Sequence, residues 1–140
     1  MTHIEQLNMA MNALISGNQA FRAGIARNAD SLPPDEYVRL FGTVRIDTGR
    51  MSGKSTWIAN HANDDNALVI ASKGMINQPV FDKVRYKLTL NDVWEGVRPK
   101  CMYSRIYVDC ASYLLPTRAD EQRLIEALVT RDQQMVVLIG

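Results

Sequence analysis

The chain has 140 residues, of which 46% are apolar, and its formal net charge is +1. This length suits a single domain with a substantial core, and the near-neutral charge gives no global sign of nucleic-acid or membrane binding. No apolar run is long enough to predict a membrane span, and the first residues lack the order typical of a secretory signal. The two cysteines and two histidines have no metal-ligand spacing. We therefore expect a cytoplasmic protein that makes no contact with a membrane.

The first 40 residues predict helices. Apolar residues recur at helical spacing over residues 3–15, and Gly17 predicts the end of this helix. A second helix is expected over residues 19–29 and a short third one over residues 35–40. We expect residues 1–40 to form an N-terminal helical segment beside a compact domain of residues 41–140, in one structural unit.

Predicted strands and helices alternate from residue 41 onwards. Strands are expected over residues 43–47, 67–71, 85–90, 103–109 and 135–139. Helices are expected over residues 57–62, over 75–83 with an interruption at Pro79, and over 117–131 with Thr117 as N-cap. The alternation indicates an α/β fold, a three-layer domain with a mostly parallel sheet, and the N-terminal helices would pack beside the sheet or project from it. A sheet edge that ends at Gly140 would be poorly covered, which favours association with other chains.

A glycine-containing loop follows the first predicted strand and precedes a helix. It consists of Thr48, Gly49, Arg50, Met51, Ser52, Gly53, Lys54, Ser55 and Thr56. Its last part matches the Gly-Lys-Ser/Thr of a phosphate-binding P-loop, although Thr48 stands where the first glycine of the pattern is expected. Small residues let backbone N–H groups surround phosphates, and the helix directs its positive N-terminus at the same anion.

The chemistry of this loop assigns expected roles to three side chains. Lys54 would reach the β- and γ-phosphates of ATP, and the Ser55 hydroxyl would bind Mg²⁺. Arg50 could stabilise charge on the γ-phosphate, with a solvated loop arginine as an equal alternative. An ordinary glycine-containing turn with a solvated lysine is the alternative for the whole motif.

An acidic residue ends the fourth predicted strand. Nucleotide hydrolases of the P-loop type use such a residue to hold Mg²⁺, and Asp109 follows the apolar run Ile106-Tyr107-Val108. A strand end places Asp109 at the carboxyl edge of a parallel sheet, which is also the edge of the P-loop. We therefore expect Ser55 and Asp109 to be metal ligands, although Asp109 could instead cap the turn that follows.

The segments around these motifs resemble the P-loop ATPases of the helicase and terminase type, the motors that move nucleic acid. The resemblance covers about residues 40–140 and rests on residues 49–56, 67–71, 105–109 and 136–140. Arg50 stands where terminase large subunits often have an arginine in this loop. The resemblance implies a Mg-dependent ATPase that acts on DNA or RNA as a homo-oligomer or within a larger complex.

The chain departs from that resemblance after Asp109. These ATPases normally have a glutamate there that orients the attacking water, whereas this chain has Cys110, which cannot polarise water as a carboxylate does. Asp92 and Glu95 are the nearest spare carboxylates in sequence. Hydrolysis could be slow, completed by a partner or absent, so a non-catalytic nucleotide-binding regulator or inhibitor is the main alternative. A small nucleotide kinase is a third one, without a clear arginine-rich lid.

Basic and aromatic residues alternate in the middle of the chain. They are Arg85, Tyr86, Lys87, Trp94, Arg98, Lys100, Tyr103 and Arg105. Such interleaving is typical of grooves that bind single-stranded nucleic acid, whereas tyrosines in predicted strands could equally belong to the core. Both interpretations stay open from the sequence.

Overall fold

The computed structural model describes residues 2–25, 32–47 and 53–140. Its helices are α1 (His3–Ile25), α2 (Pro34–Phe41), α3 (Lys54–His61), α4 (Leu90–Trp94), α5 (Ala111–Leu114) and α6 (Arg118–Leu128). Its strands are β1 (Thr43–Ile46), β2 (Ala67–Ala71), β3 (Lys87–Thr89), β4 (Arg105–Asp109) and β5 (Met135–Ile139). A single 3₁₀ turn, Pro79–Phe81, lies between β2 and β3.

The five strands form one sheet in the order β1-β5-β4-β2-β3, and every pairing is parallel. Helices cover both faces, which confirms the expected α/β class. One face packs α1 and α3 against alternate strand residues such as Val69, Tyr107 and Val137. The opposite face packs α2, α4 and α6 against the residues between them, such as Leu68 and Val108.

The central strands are apolar on both sides because both faces of the sheet are covered. Every residue of β2 and β5 is buried. A strand that is buried along its whole length suits the interior of a sheet, and β5 lies between β1 and β4. The expectation of an edge strand ending at Gly140 is therefore wrong. The edges of the sheet are β1 and β3, so the edge argument for association loses its basis.

The N-terminal region contains one long helix where two were expected. α1 continues through Gly17, although glycine in a helix interior costs about 1 kcal/mol relative to alanine. Tertiary contacts hold both halves, since Met11 is completely buried and the Asn18 amide donates to the Phe41 carbonyl oxygen at 2.8 Å. The expected helix end at Gly17 is therefore wrong, and the short helix predicted next is present as α2.

Local capping explains most of the shifted boundaries in the second half. Thr89 and Asp92 form a capping box that starts α4 at Leu90, which shortens the expected strand to β3. Thr117 caps α6 as predicted, together with Asp120. The helix predicted over 75–83 is only a 3₁₀ turn because Pro79 lacks the N–H that a longer helix needs. No helix among the described residues is long and apolar enough to cross a membrane.

Candidate functional site

The carboxyl ends of three adjacent strands form the candidate site. Register pairs Ile46 of β1 with Ile139 of β5, and Ile139 with Asp109 of β4. The chain continues beyond β1 and β5 with Asp47 and Gly140, so these residues and Asp109 share one edge of the sheet. Open parallel sheets bind their ligands at this edge.

The start of α3 lies at the same edge. Gly53 is its N-cap, with a φ of 80°, a conformation that suits glycine because it has no side chain. Lys54 and Ser55 are the first two helical residues, so their backbone N–H groups belong to the unpaired first turn. The geometry gives this end of α3 the donors and the dipole that favour an anion.

A hydrogen bond joins the two expected metal ligands. The Ser55 hydroxyl donates to Oδ2 of Asp109 at 2.9 Å. Asp109 is only 1% exposed, and its other oxygen, Oδ1, is buried with no hydrogen-bond partner among the described residues. Burying an unpaired carboxylate oxygen is costly, so this atom is available for a cation.

The fit to Mg²⁺ depends on these two side chains and on ligands from outside the protein. No group of three or more acidic, histidine or cysteine side chains that could hold a metal ion occurs in residues 2–25, 32–47 and 53–140. Mg²⁺ usually keeps several waters and takes one or two protein oxygens plus substrate phosphates. The Ser55 and Asp109 oxygens therefore fit a magnesium that arrives with a nucleotide, rather than one held by the protein alone.

Lys54 reaches across the sheet edge to β5. Its ammonium Nζ donates to the carbonyl oxygen of Gly140 at 3.0 Å. The lysine therefore extends over the strand ends instead of pointing into solvent. A lysine in this position can move to an anion that binds beside the helix N-terminus.

Packing with α1 and β4 holds α3 in place. Trp57 is 1% exposed, and its indole N–H donates to Oδ1 of Asn8 at 3.0 Å. The ring stacks on His61 and meets Tyr107 edge-on. A Cβ added to Gly53 would lie 2.9 Å from Cγ1 of Ile4, so α1 also contacts the glycine of the motif.

Five of the predicted loop residues lie outside the described residues: Thr48, Gly49, Arg50, Met51 and Ser52. Thr56, the last residue of the predicted motif, is exposed on α3. The structure thus brings together Gly53, Lys54, Ser55 and Asp109.

Cys110 occupies an unusual backbone position immediately after Asp109. Its φ is 54°, and it precedes α5, a helix that the sequence did not predict. A positive φ is uncommon for a residue other than glycine.

The expected spare carboxylate Asp92 accepts from the Thr89 N–H in the capping box of α4. This box follows β3, which is separated from β4 by β2.

Most of the interleaved basic residues are engaged in local contacts. Arg85 pairs with Asp65, and Arg105 pairs with Asp64, both at 2.7 Å. Lys87 and Arg98 donate to backbone carbonyls.

The aromatic members of that region are also accounted for by packing. Tyr103 is buried, and its hydroxyl donates to the Leu128 carbonyl oxygen at 2.6 Å. Trp94 lies under the guanidinium of Arg123. Tyr86 packs against the core on the α6 side of the sheet. These contacts favour the core interpretation of the tyrosines.

Burial and hydrogen bonds change the pKa values of two side chains that contact Arg105, those of Tyr107 and Asp64. Burial raises the pKa of the Tyr107 hydroxyl, although the guanidinium of Arg105 acts in the opposite direction. Burial acts to raise the pKa of Asp64, but hydrogen bonds from the Asn66 N–H and Arg105 outweigh it and lower the pKa. This ion pair lies at the amino end of β4, so it supports the strand that carries Asp109 at its other end.

Sequence reasoning missed Asp47 and the carbonyl group of Gly140. Both are at the site because β5 inserts between β1 and β4. The available signal for Asp47 was its position directly after the first predicted strand, next to the loop.

No protein-family model matches the chain, and neither a curated protein nor a solved structure matches it.

Proposed function

We propose that this protein binds a nucleoside triphosphate, ATP in the first place, together with Mg²⁺ at the carboxyl edge of its sheet. The observation that carries the proposal is the hydrogen bond from Ser55 to a buried Asp109 whose second oxygen has no partner in the described part of the chain. A serine at a helix start and an acid at a strand end are the oxygen donors that P-loop proteins use for Mg²⁺.

Each described residue of the site has a role in this proposal. The first-turn N–H groups of α3 bind phosphate oxygens, and Gly53 provides the positive φ from which the helix starts. The Ser55 and Asp109 oxygens hold the metal. Magnesium, when bound, neutralises charge between phosphate oxygens.

Lys54 exchanges one partner for another when nucleotide binds. In the structure its ammonium donates to a neutral carbonyl oxygen, that of Gly140. A phosphate oxygen is a stronger, charged acceptor, so the ammonium group moves to the phosphates. Gly140 then loses its lysine contact, which couples the end of β5 to nucleotide binding.

We further propose hydrolysis of the bound ATP, with nucleic acid and partner subunits as stimulators, as the resemblance to helicase and terminase motors suggests. Cys110 favours the second candidate, a nucleotide-binding regulator or inhibitor without turnover. The two candidates share the binding site and differ in phosphate release.

Binding is tested first by titrating Mg-ATP while following tryptophan fluorescence in a Trp94→Phe background. The signal then comes from Trp57, whose indole lies on the helix that starts at the site. Lys54→Ala is the test variant, and Lys73→Ala, at an exposed lysine after β2, is the matched control. We expect saturable binding that Lys54→Ala weakens at least 10-fold and Lys73→Ala leaves unchanged. Equal binding by all three proteins would refute the proposed site.

Hydrolysis is tested by phosphate release from Mg-ATP, with and without single-stranded and double-stranded DNA or RNA. Release that depends on Lys54 and rises with nucleic acid supports the motor-type ATPase. Binding without release in every condition supports the regulator instead.

A further inference from the structure

Three arginine side chains line one cleft on the face of the sheet that α2 and α6 cover. They are Arg39 in the last turn of α2, Arg45 of β1 and Arg118, the first residue of α6. The cleft has a volume of about 300 Å³ and is also lined by Leu40, Glu121 and Gln122. We call this space the arginine cleft.

The arginine cleft and the proposed nucleotide site lie on opposite faces of the sheet. Side chains alternate along a strand, and Val44 packs with the residues that α1 and α3 cover, so its neighbour Arg45 points to the α6 face. An ion pair with Glu121 of α6 agrees with this direction. Lys54 and Ser55 begin α3 on the other face. The arginine cleft is therefore separate from the proposed nucleotide site.

Glu121 holds one of the three arginines in a fixed orientation. Its two carboxylate oxygens accept from Nε and Nη2 of Arg45, each at 3.1 Å, and the Glu121 side chain is only 14% exposed. Such a bidentate pair orients the plane of the guanidinium group. A guanidinium group has five N–H donors and this pair uses two of them, so Arg45 can donate to a second acceptor in the cleft.

The other two guanidinium groups have no hydrogen-bond partner among the residues that the structure describes. Nη1 of Arg118 lies 3.6 Å from Oε2 of Glu121, which is too long for a hydrogen bond. Arg39 is half-buried and forms no ion pair in the described part of the chain, although Asp35 and Glu36 lie about one turn earlier on α2. A cation that is partly removed from water and unpaired is costly, so Arg39 is well placed to receive an anion.

The charges of the lining side chains indicate the kind of anion. Three guanidinium groups and one carboxylate leave two positive charges in the cleft. A phosphate monoester carries about −1.5 to −2 charges at pH 7 and has three acceptor oxygens, so it neutralises this excess, whereas one carboxylate would neutralise half of it. Guanidinium groups also match pairs of phosphate oxygens in geometry. The charges therefore favour a phosphate group.

The size and the apolar part of the cleft favour a small ligand over a nucleic-acid strand. Its volume of about 300 Å³ is at the lower end of the range of roughly 300–1,000 Å³ for small-molecule sites. The described residues that line it include no aromatic side chain on which a base could stack. Leu40 is 50% exposed and offers an apolar contact to the carbon atoms of a ligand.

We propose that the arginine cleft binds a phosphate group, as the free ion or as part of a small phosphorylated molecule. Arg39 of α2 and Arg118 of α6 donate to the phosphate oxygens, and Arg45 donates from β1. Glu121 keeps the Arg45 guanidinium in position. This site and the proposed nucleotide site do not depend on each other, because they lie on opposite faces of the sheet.

The test is isothermal titration calorimetry of the full chain with ribose 5-phosphate and, separately, with inorganic phosphate, in EDTA at an ionic strength of about 0.15 M. Arg39→Gln and Arg118→Gln are the test variants, and Lys83→Gln, at an exposed lysine between β2 and β3, is the matched control. Hydrogen bonds to charged groups are strong, so we expect each arginine variant to weaken binding at least 10-fold. Lys83→Gln should leave the Kd within 2-fold of the wild-type value.

Two further variants make the test specific. Arg39→Lys keeps the charge and loses the planar fork, so its Kd should lie between those of the wild type and Arg39→Gln. Lys54→Ala removes the lysine of the proposed nucleotide site and should leave phosphate binding unchanged. Arg118 is 80% exposed, so its variant answers the question if Arg39→Gln proves unstable by circular dichroism.

The two titrations also distinguish the two sources of the phosphate group. Tighter binding of ribose 5-phosphate supports a phosphorylated molecule whose carbon atoms contact the cleft, and equal binding supports the free ion. Absence of saturable binding, or an unchanged Kd in both arginine variants, would overturn the inference. A single-stranded oligonucleotide that binds through Arg39 and Arg118 while ribose 5-phosphate does not would also overturn it, in favour of nucleic acid.

Failure of this inference is distinguishable from failure of the proposed function. Phosphate binding that only Lys54→Ala weakens would overturn the arginine cleft and support the site at α3. Phosphate binding that depends on Arg39 and Arg118, in a protein that does not bind Mg-ATP, would support the arginine cleft and overturn the proposed function alone.

Discussion

Replacing Asp109 with asparagine tests whether its buried carboxylate lowers the stability of the fold. The substitution removes the carboxylate and keeps the shape of the side chain. Asp109 is 1% exposed, and Oδ1 has no partner in the described part of the chain. A buried polar group without a partner costs about 1–3 kcal/mol, and more when it is charged. The amide of the variant keeps one unpaired group, so we expect a gain in the free energy of unfolding of about 1–2 kcal/mol.

The expected change in melting temperature follows from the size of the chain. An unfolding entropy of about 2.1 cal/mol/K per residue gives about 0.3 kcal/mol/K for this protein, so Asp109→Asn should raise Tm by about 3–7 °C. The assay is thermal unfolding in EDTA, without nucleotide, followed by circular dichroism. Asp132→Asn, an exposed carboxylate of the same type, should leave Tm unchanged.

Saturating Mg-ATP should reverse the order of stability. If the proposed site is correct, a ligand at 100 times its Kd adds about 2.7 kcal/mol to the wild type, whereas the variant lacks the proposed metal ligand and gains little. A variant that is less stable than the wild type in EDTA would refute the reasoning. It would mean that the Asp109 carboxylate stabilises the fold without a cation.

Three further perturbations address the local structure. Gly53→Ala should lower the free energy of unfolding by about 1–2 kcal/mol, measured by chemical denaturation, because a positive φ strains alanine. Gly74→Ala is the control and should change this free energy little, because a Cβ added there meets no atom within 4 Å. Thr117→Ala should cost about 1 kcal/mol by removing the cap of α6, whereas Thr117→Ser should restore it, and equal unfolding midpoints in urea for all three proteins would contradict this role. Because the folded-state pKa of Asp64 is lowered, its contribution to stability is complete above the unfolded pKa of about 3.9 and disappears as the pH falls through the folded value. Asp64→Asn should therefore flatten the stability–pH curve in this acidic range relative to Asp82→Asn, an exposed control, and two parallel curves in urea titrations from pH 2 to 6 would argue against it.

The parts of the site that the sequence predicted are those set by local chain direction. A strand followed by a glycine loop and a helix positions Lys54 and Ser55, and a strand end positions Asp109. Their meeting at one edge follows from parallel strands, whatever the order of those strands in the sheet.

The missed parts depend on which strands are neighbours, and local sequence does not encode this. Asp47 and Gly140 come together because β5 pairs with β1, a contact between distant segments. The same limit explains the basic residues, since Arg85 and Arg105 find their acidic partners in the loop before β2. Gly17 shows a third case, in which tertiary contacts on both sides outweigh a local helix-breaking preference.

The pairing of β1 with β5 also determines when the site can form during synthesis. Within the described part of the chain, β1 pairs in the sheet with β5 alone, through the register from Thr43↔Val136 to Ile46↔Ile139. Closing a loop of that length in a parallel arrangement is slow, and no local contact rewards it early. The strand that leads into Lys54 and Ser55 is therefore unpaired until residues 135–139 have left the ribosome. The candidate site is therefore incomplete in a nascent chain, and the edges of β1 and β4 stay open to chaperones or to other chains until β5 enters between them.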